Sequence, residues 1–291
     1  MGDSRETTFI DLTSDFGFKK LFGEEPNKDL LISFLNEVFQ GRKVIRDLEY
    51  TRQEELGAAL DEGGAIFDLV CTGSDGEKFI IEVQRARQEN FKKRALFYTS
   101  RLISNQAPKG RRSVWGYAIT EVYLVALLDG LTITDFAETT PIHDICLCYR
   151  NSGKVFYEGL GYIYIELPKF NKTEIELQND LDRWLYVLKN MSRLQKIPVY
   201  LHKSIFEKVF DIATYSKLNK EERMAYDMSL KKKWDEYSIK ETAFNDGKLE
   251  GKLEERSTIA RNLIKLGLPI PQIAKSTGLS EEEIAEIAQK N

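Results

Sequence analysis

Histidine is almost missing from this chain: among 291 residues only His143 and His202 occur. Neither sits in a ligand-spaced motif, so a zinc hydrolase or a Cys/His hydrolase fails on inventory. Cysteine is nearly as scarce. Cys146 and Cys148 form a C-x-C pair, but without a second Cys/His cluster this is a weak zinc signal. On a strand the two face the same side and read as core thiols. No run of 18 apolar residues exists, which excludes a membrane-spanning helix. The opening Met1-Gly2-Asp3-Ser4-Arg5-Glu6 lacks the charged-then-apolar pattern of a signal peptide. Together these absences predict a cytoplasmic protein.

What is present is an ordinary apolar content, 42%, enough for a sizeable core. The length suits one large domain with an appendage or two modest domains. A helix is expected over Asn27–Gln40, ended by Gly41, and strands over Val44–Glu55, Gly63–Cys71 and Lys78–Arg85. A basic helix follows from about Glu89 to Gln106. Val122–Leu128 reads as a fully buried central strand, with further strands at Asp144–Arg150 and Tyr162–Leu167. This order predicts an α/β sandwich around a mixed sheet flanked by helices. From Thr173 onward the periodicity turns helical, so the expected division is 1–170, a helical region 171–245 and a helical tail 246–291.

Two acids stand out in the first half. The apolar runs before and after Gly73-Ser74-Asp75-Gly76 read as a β-hairpin. With the turn centred on Asp75, Asp68 lies directly opposite Glu82. Opposed residues have Cβ atoms roughly 4.5–5.5 Å apart, where like charges are destabilising. Gln84, two positions on, shares the face of Glu82. The pair could be a solvated face of alternating strands, yet both acids interrupt the most apolar strands of this half. A hard divalent cation between them, Mg²⁺ or Mn²⁺, is the better reading.

The net charge is −4, which argues against a nucleic-acid partner until the charges are mapped. Arg85, Arg87, Lys92, Lys93, Arg94, Arg101, Lys109, Arg111 and Arg112 form a basic stretch opposed by Glu89 alone. Clustered Lys/Arg attracts phosphate backbones regardless of sequence, so Lys92, Lys93, Arg94 and Arg101 are candidate DNA contacts. A solvated helix face is the plainer alternative, since the same helix must bury Phe91, Ala95, Tyr98 and Leu102.

The tail is different in kind. Gly247-Lys-Leu-Glu repeats at once as Gly251-Lys-Leu-Glu, which puts two glycines on one helical face or makes a flexible charged connector. A homodimer through these C-terminal helices is one outcome. Ala274, Gly278 and Ile284 have helix-turn-helix spacing. The second helix, however, carries Glu281, Glu282, Glu283 and Glu286, which phosphate would repel. Packing or protein contact is therefore expected of this helical pair.

Several motifs carry a resemblance. Asp15-Phe16-Gly17-Phe18-Lys19-Lys20-Leu21-Phe22, Phe67-Asp68, Glu82-Val83-Gln84, Arg94 to Tyr98 and Leu181-Asp182-Arg183-Trp184-Leu185 resemble the recombination-promoting nuclease/transposase family of the PD-(D/E)XK nuclease superfamily. Their order spans roughly residues 7–290. The resemblance implies a Mg²⁺-dependent deoxyribonuclease linked to recombination or a mobile element, with Asp68 and Glu82 as metal ligands and Gln84 beside them. Gln84 stands where the superfamily usually has a lysine, and it cannot act as a base. Asp15 matches an N-terminal acid of the family and serves either as a further outer ligand or as a helix cap. Lys19 and Lys20 reach a phosphate or simply face solvent. The contrasting reading is a catalytically silent nuclease fold that binds nucleic acid or protein, a role with no need of opposed carboxylates.

Overall fold

The computed structural model describes residues 8–51, 68–85, 90–107, 116–133 and 139–289. Residues up to Lys233 form one compact unit and those from Trp234 another. Among the described residues no helix is long and apolar enough to cross a membrane.

The first unit opens with helix α1 (Asp15–Phe22) and helix α2 (Lys28–Phe39). α1 starts at Ser14, whose hydroxyl accepts the Gly17 N–H at 3.0 Å, so Ser14 and not Asp15 is the cap. Gly17 admits no side chain, because a Cβ there would lie 2.1 Å from the Asp11 carbonyl oxygen. α2 buries Leu30, Leu31, Phe34, Leu35 and Val38 on one face. It ends at Phe39, two residues before the expected glycine, with Gln40 itself left-handed at φ 49°.

Six strands follow, β1 (Leu48–Tyr50), β2 (Leu69–Gly73), β3 (Lys78–Gln84), β4 (Val122–Leu128), β5 (Ile142–Cys148) and β6 (Val155–Glu166). They form one mixed sheet in the order β1-β2-β3-β4-β6-β5. β3, β4 and β6 run parallel, while β1, β2 and β5 are antiparallel to their neighbours. Every residue of β4 is buried, as a central strand with both faces covered requires. The expected strand segments 52–55, 63–67 and the basic residues 87 and 109–112 lie outside the described residues, as does Phe67.

Helix α3 (Phe91–Asn105) covers one face of the sheet, packing Phe91, Ala95, Tyr98 and Leu102 on Ile80, Leu124, Ala126 and Leu128. The other face carries the main core, where Phe22, Phe34 and Phe206 surround Trp184. Trp184 lies on helix α4 (Asp180–Asn190) and Phe206 on helix α5 (Ser204–Ala213). The helices after residue 173 thus share a core with the sheet. One expectation is corrected here. β5 is an edge strand, so Cys146 is half-buried and Cys148 exposed; only Cys71 is a core thiol.

Helix α6 (Lys220–Lys265) begins in the first unit and continues into the second. There its last turns, helix α7 (Ile270–Thr277) and helix α8 (Glu281–Gln289) enclose a small core of Ala260, Ile273, Leu279 and Ile284. Gly278 makes the turn at φ 70°, and Ser280 and Glu283 form a reciprocal cap at the start of α8.

Candidate active site

The β2–β3 hairpin has the register expected of a turn centred on Asp75: Leu69 pairs with Ile81, Val70 with Ile80 and Cys71 with Phe79. Continued one step, the register sets Asp68 against Glu82. The Asp68 carboxylate accepts the Val83 N–H at 2.6 Å. Glu82 and Gln84 are both buried, on the sheet face that α3 covers.

Both acids are held above the ordinary carboxylate range. Burial is the main cause for Asp68, with the charge of Asp15 adding to it; the Val83 N–H, Lys19 and Arg85 oppose. Burial likewise dominates for Glu82, pushing it up to about 6; Arg94 opposes and Asp68 adds to the shift. Among the described residues, the cations near the pair do not offset its burial. Arg94 bridges part of the deficit, its guanidinium donating to Glu82 Oε1 and, at 2.9 Å, to Gln84 Oε1.

On the other side of Asp68 opens a cavity of about 820 Å³. Asp15, Lys19, Lys20, Glu24, Asp68, Glu222 and Lys232 supply its charged lining. Lys19 pairs with Asp15 at 3.0 Å, whereas Lys20 is committed to Glu24 and Glu222. Glu82 does not line this cavity; Asp68 and Leu69 connect the strand pair to it.

The donor chemistry fits a hard divalent cation. Asp68, half-buried just before β2, and Glu82, buried on β3, carry carboxylate oxygens, and these are what such ions take. Among the described residues no cluster of three His, Cys, Asp or Glu is gathered to hold a metal. Any further ligands would have to be water, carbonyl or phosphate oxygens, which Mg²⁺ readily retains.

The candidate DNA contacts divide in two. Lys92 and Lys93 are exposed on α3. Arg94 turns inward to Glu82 and Gln84, and the Arg101 guanidinium lies over the Phe97 ring at 5.0 Å. The inward turn was readable from helical spacing, since Arg94 is three residues after buried Phe91 and four before buried Tyr98. Glu222, Ser229 and Lys232 of α6 carry no such signal, being more than 150 residues from Asp68 in sequence.

Compared with known families, residues 12–243 match the PD-(D/E)XK nuclease family transposase and residues 253–289 match the C-terminal HTH domain of the Rpn/YhgA-like nuclease family. No curated protein and no solved structure matches the chain at a significant level. The second match bears on the tail, which the sequence reading assigned to packing or protein contact. α7, the Gly278 turn and α8 correspond to a helix-turn-helix domain, although Glu281, Glu282, Glu283 and Glu286 are all exposed on its second helix. With four-fifths of its length matched and the mixed sheet in place, the chain belongs to the PD-(D/E)XK nuclease family transposases and ends in their Rpn/YhgA-like helix-turn-helix domain.

Proposed function

We propose that the protein is a metal-dependent DNA endonuclease that hydrolyses phosphodiester bonds in recombination or in the movement of a genetic element. The observation that carries this reading is the pair Asp68, half-buried, and Glu82, buried, set against one another by the hairpin register and both raised in pKa. Such an arrangement is costly in a metal-free fold and useful only if a cation joins it.

Asp68 and Glu82 would hold Mg²⁺ or Mn²⁺. When bound, the ion supplies polarisation of the phosphoryl oxygen and a lowered pKa for attacking water. Gln84, uncharged, orients water or phosphate through its amide and takes no proton. Asp15 and Lys19, at the mouth of the cavity beside Asp68, act on what enters from that side. Lys92, Lys93 and Arg101 neutralise backbone phosphates along α3 and carry no sequence preference. The helix-turn-helix domain, with four glutamates exposed on its second helix, contributes only a minor share of DNA binding. A Cβ at Gly247 or Gly251 would meet no atom within 4 Å. That stretch of α6 is the proposed surface for a second copy, and light scattering of the full chain measures it.

Supercoiled plasmid incubated with Mg²⁺, Mn²⁺ or EDTA, beside Asp68→Ala, tests the reading. Nicking or linearisation is expected with metal and wild type only. Cleavage in EDTA, or full activity in Asp68→Ala, overturns it.

A further inference from the structure

The strand motif Glu82-Val83-Gln84 brings no cation of its own to the site, yet a cation is there. Arg94 reaches it from α3, one layer away, and its guanidinium contacts the acceptor oxygens of both Glu82 and Gln84. Two aromatic faces fix the group from behind: the Arg94 guanidinium lies 5.6 Å from the Phe91 ring centroid and 6.0 Å from that of Tyr98. Phe91 and Tyr98 are buried in the same small core as Ile80 and Ala126, so the approach is built into the packing of helix on sheet. Lys92 and Lys93, its neighbours, point to solvent. Arg94 is therefore set apart from the rest of the basic helix by what it touches.

We propose that Arg94 is the cation of the cleavage site, carrying to Gln84 the positive charge the strand lacks and competing with the divalent ion for the Glu82 carboxylate. The inference rests on the nuclease reading above. In phosphodiester hydrolysis the water oxygen bonds to phosphorus and gives up a proton to solvent, the bond from phosphorus to the leaving oxygen breaks, and that oxygen takes up a proton from solvent. Negative charge builds on the non-bridging oxygens meanwhile. A guanidinium stays protonated throughout, so Arg94 moves no proton and acts by charge and hydrogen bonding alone. Its fork also suits two oxygens at once, which a lysine does not match.

The competition separates this role from a merely structural tie between α3 and β3. Removing a like charge beside a metal site tightens metal binding, whereas removing a structural tie loosens the ligands and weakens it. Arg94→Met and Arg94→Lys are compared with wild type by Mn²⁺ calorimetry, by melting in EDTA and by Mn²⁺-dependent plasmid cleavage. Arg94→Met is expected to bind Mn²⁺ about tenfold more tightly while cleaving on the order of 10²-fold more slowly. Arg94→Lys should fall between it and wild type on both measures. Weaker Mn²⁺ binding together with a lower melting temperature in Arg94→Met makes the residue a structural tie and overturns the proposal. Unchanged cleavage overturns it too. Should Arg94→Met not fold, Arg94→Gln, uncharged but still able to bond Gln84, is read by the same criteria. A wild type that neither binds Mn²⁺ nor cleaves refutes the nuclease reading itself, and Arg94 falls with it.

Discussion

Two places in the first unit each set two carboxylates near one another, and they behave in opposite ways. At one, Lys233 of α6 donates to Asp11 at 2.8 Å, to Asp129 at 2.7 Å and to the Thr13 hydroxyl at 2.7 Å. The Thr13 N–H also donates to Asp11 at 2.9 Å. Burial alone would raise Asp11, but the charge and hydrogen bond of Lys233, with those of Thr13, outweigh it and leave its pKa lowered. At the other place Arg94 faces Glu82, and Asp68 has one N–H and more distant cations; there burial wins and both acids are raised. The two clusters are nearly in touch, since the Asp129 N–H donates to the Gln84 carbonyl at 2.9 Å. Donors saturate the first, which fastens α6 to the N-terminal segment and to the end of β4. At the second, the cations among the described residues do not offset burial, and both acids stay raised.

The largest expected effect separates the clusters by activity. Asp68→Ala or Glu82→Ala should lower metal-dependent cleavage by on the order of 10³-fold, with the melting temperature in EDTA unchanged or higher. Plasmid cleavage and thermal melting on one preparation check this. An inactive variant that has also lost its fold would remove the distinction.

Stability is expected to move at the other cluster. Lys233→Met leaves Asp11 and Asp129 together without their shared cation. Breaking a buried pair costs about 3 kcal/mol, some 6–12 °C in melting temperature for a unit of roughly this size. The value belongs at the lower end, because Lys233 keeps 23% of its side chain exposed. Cleavage measured below the transition should fall little. A variant that melts like wild type would mean that the clasp is ornamental.

The two acids should also give stability slopes of opposite sign with pH. For Glu82 the folded pKa, about 6, lies above the ordinary 4.5, so the folded state binds the proton more tightly. Stability is greatest below about pH 4.5 and is lost as pH rises towards 6, by about 2 kcal/mol at most. Glu82→Gln in EDTA should abolish that loss and melt higher than wild type at pH 7. For Asp11 the folded pKa is lowered, so its contribution is present above pH 3.8 and lost as pH falls through the folded value. Melting curves between pH 3 and 8, on wild type, Glu82→Gln and Asp11→Asn, resolve the two slopes. If Glu82→Gln melts lower than wild type at pH 7, the Arg94 pair outweighs the burial and the site is not frustrated.

The sheet and the hairpin were legible because their signals are local. An unbroken apolar run makes β4, and a symmetric Gly-Ser-Asp-Gly turn sets the register that opposes Asp68 and Glu82. The clasp was not legible, because Asp11 and Lys233 are joined only when α6 returns to the N-terminus. Arg94 lay between these cases. Its charge was read as part of a basic face, while its spacing from Phe91 and Tyr98 already assigned it to the buried side. The thiols failed for a topological reason: alternation puts Cys146 and Cys148 on one side, but only the sheet order reveals that β5 is an edge.

The smallest effect concerns which helix meets DNA, and it is the one that the inward turn of Arg94 changes. Each phosphate contact contributes about 0.9 to the slope of log affinity against log salt on duplex DNA. Lys92→Glu with Lys93→Glu should flatten that slope by about 2 if both touch phosphate. Arg94 belongs outside this count, since its guanidinium is spent on Glu82 and Gln84. Deleting residues 257–291 should change the slope little, because α8 presents Glu281, Glu282, Glu283 and Glu286 to solvent. Fluorescence anisotropy with a short duplex in Ca²⁺, at several salt concentrations, measures both. A slope that survives the lysine reversals but collapses on tail deletion would make the helix-turn-helix domain the principal DNA reader, through α7 or the end of α6 and despite its acidic second helix.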